Sequence, residues 1–214
     1  MPKKFNKFED NFLVLVPHRD TRGCLQKYCD RLLRNGLKGV YNFPSAVPIA
    51  RLSQPLTCEE LKQIARSLRE AAGGNKFYTT GVSSVSFGDL ELLGFRLNLD
   101  ISLIFTHRHG EYSKMTHFPN PSILGCFLSP PNSEQQLCNF RNLCTSVPPH
   151  ENFPLPFRAA AIANMRWQTV QKDNEVYYKW QIDKLFWLPK YKLLVVDRPS
   201  PNPLPKGLTK SENM

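Results

Sequence analysis

The beginning of the chain has a short apolar run followed by a stretch with helical periodicity. The run from Asn11 to Val16 is bounded by Pro17, which predicts a buried strand that ends at a turn. Five apolar side chains then recur at helical spacing: Leu25, Tyr28, Cys29, Leu32 and Leu33. Because Asn35 and Gly36 supply a C-terminal stop signal, an amphipathic helix is expected before that pair.

The next segment carries the clearest local signal in the sequence. The run from Val47 to Leu52 predicts a second strand. Thr57 and Glu60 have the spacing of a capping box, in which the threonine caps the first turn and the glutamate reaches back. The helix that follows has one apolar stripe, made of Leu61, Ile64, Ala65 and Leu68. Gly73 and Gly74 are expected to end this helix.

From Phe77 the pattern changes to that of strands. A run rich in Thr, Ser and Val extends to Phe87 and is followed by a turn at Gly88 and Asp89. Apolar and polar residues then alternate from Phe95 to Asp100, which predicts a strand with one buried face.

The second half of the chain again combines strands with a helix. A strand is expected from Ser122 to Leu128, and the spacing of Ser133 and Gln136 allows a short capped helix. The runs from Phe157 to Val170 and from Val176 to Leu188 predict a long hairpin rich in aromatic residues.

Two pieces of the chain are weakly similar to each other. Pro48 to Leu52 precedes a proline loop and a capped helix, and Asn120 to Leu124 precedes another. This repetition predicts a duplicated β-loop-helix unit, whose two related strands would face each other across a cleft. Residues 1–198 are expected to form a single domain of two lobes, and the proline-rich residues 199–214 a flexible tail.

The composition adds limits on location and chemistry. The N-terminus lacks the apolar segment and cleavage pattern of a secretion signal, and no apolar run approaches the roughly 20 residues that cross a bilayer. The cysteines are irregularly spaced without a C-x-x-C pair, which favours reduced thiols over a disulfide framework. They are Cys24, Cys29, Cys58, Cys126, Cys138 and Cys144. We therefore expect a cytoplasmic protein with no membrane segment, no cofactor and no metal.

The chain is basic along its whole length. It has 28 Lys and Arg against 18 Asp and Glu, a formal net charge of +10 at pH 7. Residues 1–100 have 15 basic against 10 acidic residues, and residues 101–214 have 13 against 8. A polyanion such as RNA is therefore a candidate partner, although an excess of positive charge spread over the whole chain is also compatible with an ordinary solvated surface.

Aromatic and basic residues alternate in the last predicted hairpin. The segments are Arg166–Trp167, Tyr177–Trp180 and Lys184–Trp187. This composition is typical of surfaces on which bases stack and phosphates are neutralised. Strand cores have the same composition, and core packing is the preferred interpretation.

The order of the elements and several segments resemble the 2H phosphoesterase superfamily, which includes bacterial 2′-5′ RNA ligases and cyclic phosphodiesterases. The similar segments are FLVLVP, VPIARLSQPL, EELKQIARSLRE and FPNPSILGCFL, and the terminal hairpin around Val176 to Leu188 also fits. The resemblance implies an α+β fold of two lobes, built from duplicated β-α-β units with mostly antiparallel sheets around a central groove. It also implies two H-x-T/S motifs whose i and i+2 side chains point into that groove. In that groove, one histidine deprotonates the attacking group and the other protonates the leaving oxygen.

The positions that match the two motifs lack the histidines of the superfamily. Pro48 and Ala50 match the first motif, and neither side chain transfers a proton or donates to a phosphate. Asn120 and Ser122 match the second motif and retain hydrogen-bonding capacity without a group that titrates near neutrality. The resemblance therefore implies a non-catalytic protein whose Asn120 and Ser122 bind an RNA end, a nucleotide or another phosphorylated ligand.

Two other classes of function remain open from the sequence. An active phosphodiesterase would need replacement acid and base groups, for which His107, His109 and His117 are the candidates. These histidines, with Glu111, also have a spacing that zinc accepts, although a turn at Gly110 favours an exposed loop. The other class is a protein-interaction module that keeps only the scaffold, which a groove filled by Phe or Leu side chains would favour.

Overall fold

A computed structural model of the chain describes residues 10–72, 77–87, 89–99, 115–117, 122–131, 134–149, 154–172 and 175–188. In chain order the elements of these residues are β1 (Asp10–Pro17), α1 (Arg19–Arg34), β2 (Tyr41–Asn42), β3 (Val47–Leu52), α2 (Cys58–Ala72), β4 (Phe77–Phe87), β5 (Leu90–Leu97), β6 (Met115–His117), β7 (Ile123–Ser129), α3 (Glu134–Ser146), β8 (Pro156–Phe157), β9 (Ala159–Lys172) and β10 (Glu175–Trp187). The fold is α+β, as the sequence predicted.

The described strands form two five-stranded sheets. The first sheet has the order β10-β9-β1-β3-β6, and the second has the order β2-β7-β5-β4-β8. Every pairing between described strands is antiparallel. The predicted terminal hairpin is confirmed, because β9 and β10 pair from Lys172 and Glu175 to Ala161 and Trp187. The two strands of the weak sequence repeat, β3 and β7, lie in different sheets.

The predicted end of α1 and the predicted capping box at the start of α2 are confirmed, whereas Gly73 and Gly74 lie outside the described residues. The amide of Thr57 donates to Glu60 Oε2 at 2.6 Å, and the amide of Glu60 donates to Thr57 Oγ1 at 3.2 Å. At the end of α1, the amide of Asn35 donates to Arg31 O, and Gly36 follows with a φ of 101°. This left-handed conformation suits glycine, which explains why the helix ends there.

Helices cover the outer face of each sheet. α2 packs on β9 and β10 of the first sheet, whereas α1 packs on β7 and α3 on β4 of the second. We call the buried apolar residues shared by the helices and these outer faces the outer core. It includes Leu13, Leu15, Leu25, Leu32, Leu61, Ile64, Leu93, Phe95, Leu124, Cys126 and Phe140.

Three short strands were not predicted from the sequence. β2, β6 and β8 have two or three residues each and are defined by their partner strands rather than by their own sequence.

The predicted tail, residues 199–214, lies outside the described residues. Within the described part of the chain, no helix has both the length and the apolar character needed to cross a membrane.

Candidate functional site

The two strands that carry the predicted motif positions meet at the junction of the two sheets. The amide of Phe43 donates to Cys126 O at 3.1 Å, and the amide of Gly125 donates to Ala46 O at 2.9 Å. The chain from β2 to β3 therefore follows β7 in the second sheet before β3 continues in the first sheet. The space enclosed beside this junction is the place where the resemblance predicts a phosphate groove.

Apolar side chains fill the space between the two sheets, and we call them the inter-sheet cluster. Its buried members are Phe12, Val14, Val16, Phe43, Ala46, Phe87, Leu90, Leu92, Ile123, Leu128, Ala161, Ala163, Met165 and Trp167. Rings from the two sheets touch directly: Phe12 stacks on Phe87 with 4.3 Å between centroids, and Phe43 meets Trp180 edge-on at 4.9 Å. The described part of this space is therefore an aromatic core.

Gly125 shows how tightly the inter-sheet cluster is packed. A Cβ at this position would lie 2.6 Å from Cδ1 of Phe43 and 2.8 Å from Cδ1 of Leu92. The ring of Phe43 is itself held by an edge-on contact with Phe87, with 5.4 Å between centroids. Since not even one methyl group fits beside these side chains, a nucleotide has no room there.

Pro48 and Ala50 are both buried, but they face opposite sides of β3. A β-bulge at Ile49 separates them, so that Pro48 pairs with Val14 whereas Ala50 pairs with Leu13. Val14 belongs to the inter-sheet cluster, and Leu13 belongs to the outer core. The bulge therefore breaks the i and i+2 geometry that would bring both side chains into one groove.

The hydroxyl of Ser122 is already used inside the protein. Ser122 is 6% exposed, and its Oγ donates to Leu99 O at 2.6 Å. By strand alternation it lies on the side of Leu124, in the outer core, because Ile123 between them belongs to the inter-sheet cluster. Phosphate oxygens accept hydrogen bonds. A serine hydroxyl that already donates to a backbone carbonyl therefore has no second proton to donate to them. Asn120 lies outside the described residues.

The buried side chains of the inter-sheet cluster carry no acid or base, and the partly buried phenols of Tyr41 and Tyr178 pack against them. Its buried members are Phe, Trp, Leu, Ile, Val, Ala and Met, none of which transfers protons. Among the candidate replacements, His117 ends β6 and pairs through its backbone with Ala50, whereas His107, His109 and Glu111 lie outside the described residues. Over the ranges that the structure describes, no group of three or more His, Cys, Asp or Glu is arranged to hold a metal ion.

The aromatic residues of the terminal hairpin are divided between core and surface. Trp167 is 5% exposed and stacks on Tyr178 and Trp180, with 5.2 and 5.7 Å between centroids. Trp187, at the end of β10, is 68% exposed, and Ile182 is 46% exposed. Core packing is therefore the right interpretation for Trp167 and the wrong one for Trp187.

The polar side of α1 carries an excess of positive charge that the other described helices lack. α1 has five basic and two acidic residues, whereas α2 has three of each and α3 has one of each. Arg19, Arg22 and Lys27 are exposed and have no ion pair with any described residue. The apolar stripe of this helix was predictable from the sequence, whereas these cations were missed; the charge imbalance on the polar side of the helix is the signal that could have identified them.

Three cysteines converge where α1, β7 and α3 meet. Cys29 and Cys126 are buried, and Cys144 is half-buried. Burial raises the pKa of Cys126, and a hydrogen bond with Cys29 raises it further. Burial also raises the pKa of the Cys144 thiol to about 11. Because the thiolate is the reactive form, the raised pKa values make Cys126 and Cys144 poor nucleophiles.

Comparisons with known proteins add no identification. No family model, no curated protein and no solved structure matches the chain. The resemblance to the 2H phosphoesterases therefore rests on the sequence segments and on the order of the elements.

Proposed function

We propose that this protein is a non-catalytic RNA-binding protein that contacts phosphates with an outer basic surface. The observation that carries the proposal is the inter-sheet cluster, in which the stacked rings of Phe12 and Phe87 occupy the place of the expected groove. The buried members of this apolar core carry no positive charge for a phosphate, and burial there would strip the phosphate of its water. Binding at the outer surface is compatible with this core, and the packed rings argue against catalysis between the sheets.

The charge distribution supports RNA as the partner. The chain has a net charge of +10, and α1 alone contributes an excess of three basic residues on the described surface. Cations that neutralise phosphates release the counterions condensed on a nucleic acid, which drives binding without a preformed pocket. The surface needs no groove for this mode of binding.

The 2H-like scaffold and the cytoplasmic location belong to the same proposal. A degenerate, duplicated scaffold is supported by β3 and β7, which lie in different sheets and approach each other where the sheets meet. All six cysteines are free, which suits a reducing compartment. A phosphate contact through Asn120 stays a prediction, whereas the hydrogen bond from Ser122 to Leu99 argues against a contact through Ser122.

Titration of a labelled, unstructured single-stranded RNA with the full chain tests the proposal. Fluorescence anisotropy at about 50 and about 200 mM salt measures both the affinity and its salt dependence. We expect binding that weakens steeply as the salt concentration rises. An RNA affinity too weak to measure even at the lower salt concentration would contradict the proposal.

A protein-interaction module is the second candidate function, and the exposed apolar residues of β10 favour it. Among the described strands β10 is an edge of the first sheet, and it carries the exposed side chains of Ile182 and Trp187. An edge strand with such side chains can pair with a second copy of the chain. Sedimentation velocity over a range of concentrations tests this, since Trp187→Ser should abolish any dimer that forms through this edge.

A further inference from the structure

Gly23 occupies the exposed side of α1, and no contact with the described residues explains it. A Cβ at this position would meet no atom of the described residues within 4 Å, and the residue does not have a positive φ. Glycine is among the least favourable residues in a helix interior because it loses the most backbone freedom on folding. Neither packing nor backbone conformation therefore accounts for a glycine here.

Three basic side chains surround Gly23, together with Asp20, which lies three residues before it and pairs with His18. Arg19 and Lys27 stand one turn before and one turn after Gly23 on the same side of α1, and Arg22 is its neighbour in sequence. With a rise of about 1.5 Å per residue, the two flanking residues are each about 6 Å from the glycine along the axis. We call Arg19, Arg22, Gly23 and Lys27 the Gly23 patch.

The electrostatics of the helix do not explain these cations either. Arg19 and Arg22 are among the first four residues of α1, where the helix dipole favours acidic side chains. None of the three cations has an ion pair among the described residues that would offset this arrangement. Residues that break local rules without a gain inside the protein are expected at functional sites.

We propose that the Gly23 patch is the contact between this protein and the sugar–phosphate backbone of single-stranded RNA. The three cations spread over about 12 Å along the helix, which suits a row of phosphates better than a single one. The missing side chain of Gly23 lets that backbone approach the helix closely while Arg19 and Lys27 reach it from both sides. This assignment rests on the proposed RNA-binding function and places it on one surface.

The composition of the same surface disfavours a lipid bilayer as the partner. The apolar side chains of α1, such as Leu25, Tyr28 and Leu32, are buried in the outer core. The exposed side therefore offers nothing that would insert between acyl chains, as interfacial helices require.

Replacing Gly23 separates a functional glycine from a structural one. Gly23→Ala should raise the melting temperature by about 2–4 °C, because alanine favours the helix. The same variant should weaken RNA binding about fivefold, because the added methyl group keeps the backbone away from the helix. Gly81→Ala is the matched control, since Gly81 is exposed on β4 and a Cβ there also meets nothing within 4 Å. It should leave the RNA affinity unchanged.

Charge variants test the same surface by their salt dependence. Arg19→Gln, Arg22→Gln and Lys27→Gln should each lower the slope of log affinity against log salt concentration by about 0.7, the value for one phosphate contact on a single strand. Arg66→Gln, which removes an exposed charge from α2, is the control and should leave the slope unchanged.

The outcomes distinguish this assignment from the proposed function. If the unmodified chain binds RNA but the Gly23 patch variants bind as tightly as the controls, the assignment to this surface is overturned and the proposed function stands. If the unmodified chain does not bind RNA, the proposed function itself fails. Release of bound RNA by phosphatidylserine vesicles at an equal phosphate concentration would overturn the assignment of RNA as the partner and would favour a membrane surface instead.

Discussion

The ring of Phe12 on β1 stacks on the ring of Phe87 on β4, with 4.3 Å between their centroids and 22° between their planes. Both side chains are fully buried, and they come from different sheets. This contact joins the two sheets across the space that a groove would need. Substitutions in this space should therefore change the stability of the fold rather than the affinity for RNA.

Truncation of Phe87 tests whether this space is core. Phe87→Ala should lower the free energy of unfolding by about 3–5 kcal/mol, since it removes a buried ring and leaves a cavity. Urea denaturation followed by tryptophan fluorescence measures the change. The control is Trp187→Ala, which truncates an exposed ring and should cost less than about 0.5 kcal/mol. A similar, small loss in both variants would mean that the space is an open groove.

Enlargement of Gly125 tests the same packing from the opposite direction. Gly125→Ala should destabilise the protein by about 1–3 kcal/mol, because the new methyl group collides with the ring of Phe43. The double variant with Phe43→Leu, measured in the same denaturation experiment, should recover part of this loss by opening space. Full stability of Gly125→Ala alone would rule out the close contact.

Ser122 should contribute to stability and not to RNA binding. Ser122→Ala removes the hydrogen bond to Leu99 O and leaves a buried carbonyl without this donor, which should cost about 1–3 kcal/mol. The RNA affinity, measured by anisotropy where both proteins are folded, should not change. Weaker RNA binding at unchanged stability would restore Ser122 as a ligand contact.

The cysteines should fall into reactive and protected groups. Cys24, Cys58 and Cys138 are exposed, whereas Cys29 and Cys126 are buried. At neutral pH, a thiol reagent such as Ellman's should modify the exposed three quickly and the buried two only after unfolding. Accordingly, Cys138→Ser should reduce the fast phase and Cys29→Ser should not. Fast modification of Cys29 or Cys126 in the folded protein would contradict their burial.

The parts of the fold that depend on local chemistry were predictable from the sequence. The capping box of Thr57 and Glu60 works within four residues, so its hydrogen bonds follow from the sequence alone. The same holds for the alternation of Phe95, Arg96 and Leu97, in which the arginine is exposed and the other two are buried.

The candidate site was less predictable because it depends on partners distant in sequence. The bulge at Ile49 arises from the register between β3 and β1, and it reverses the side to which Ala50 points. The stacking of Phe12 on Phe87 joins strands more than 70 residues apart, so neither sequence segment indicates it alone. Gly23 could have been noticed as a glycine in a helical pattern, but its open surroundings are visible only in the structure.

The most direct test follows one RNA through binding and chemistry in the same sample. A labelled single-stranded RNA that ends in a 2′,3′-cyclic phosphate is mixed with the full chain at low salt. Anisotropy reports binding, and chromatography of the same sample reports the state of the cyclic end. We expect the RNA to be bound in a salt-dependent manner while its cyclic end opens no faster than without protein. One acid or base group commonly accelerates such a reaction by about 10²–10⁴-fold, so residual catalysis would be readily detected. Opening above the protein-free rate that is lost on replacing His107, His109 or His117 would contradict a non-catalytic role.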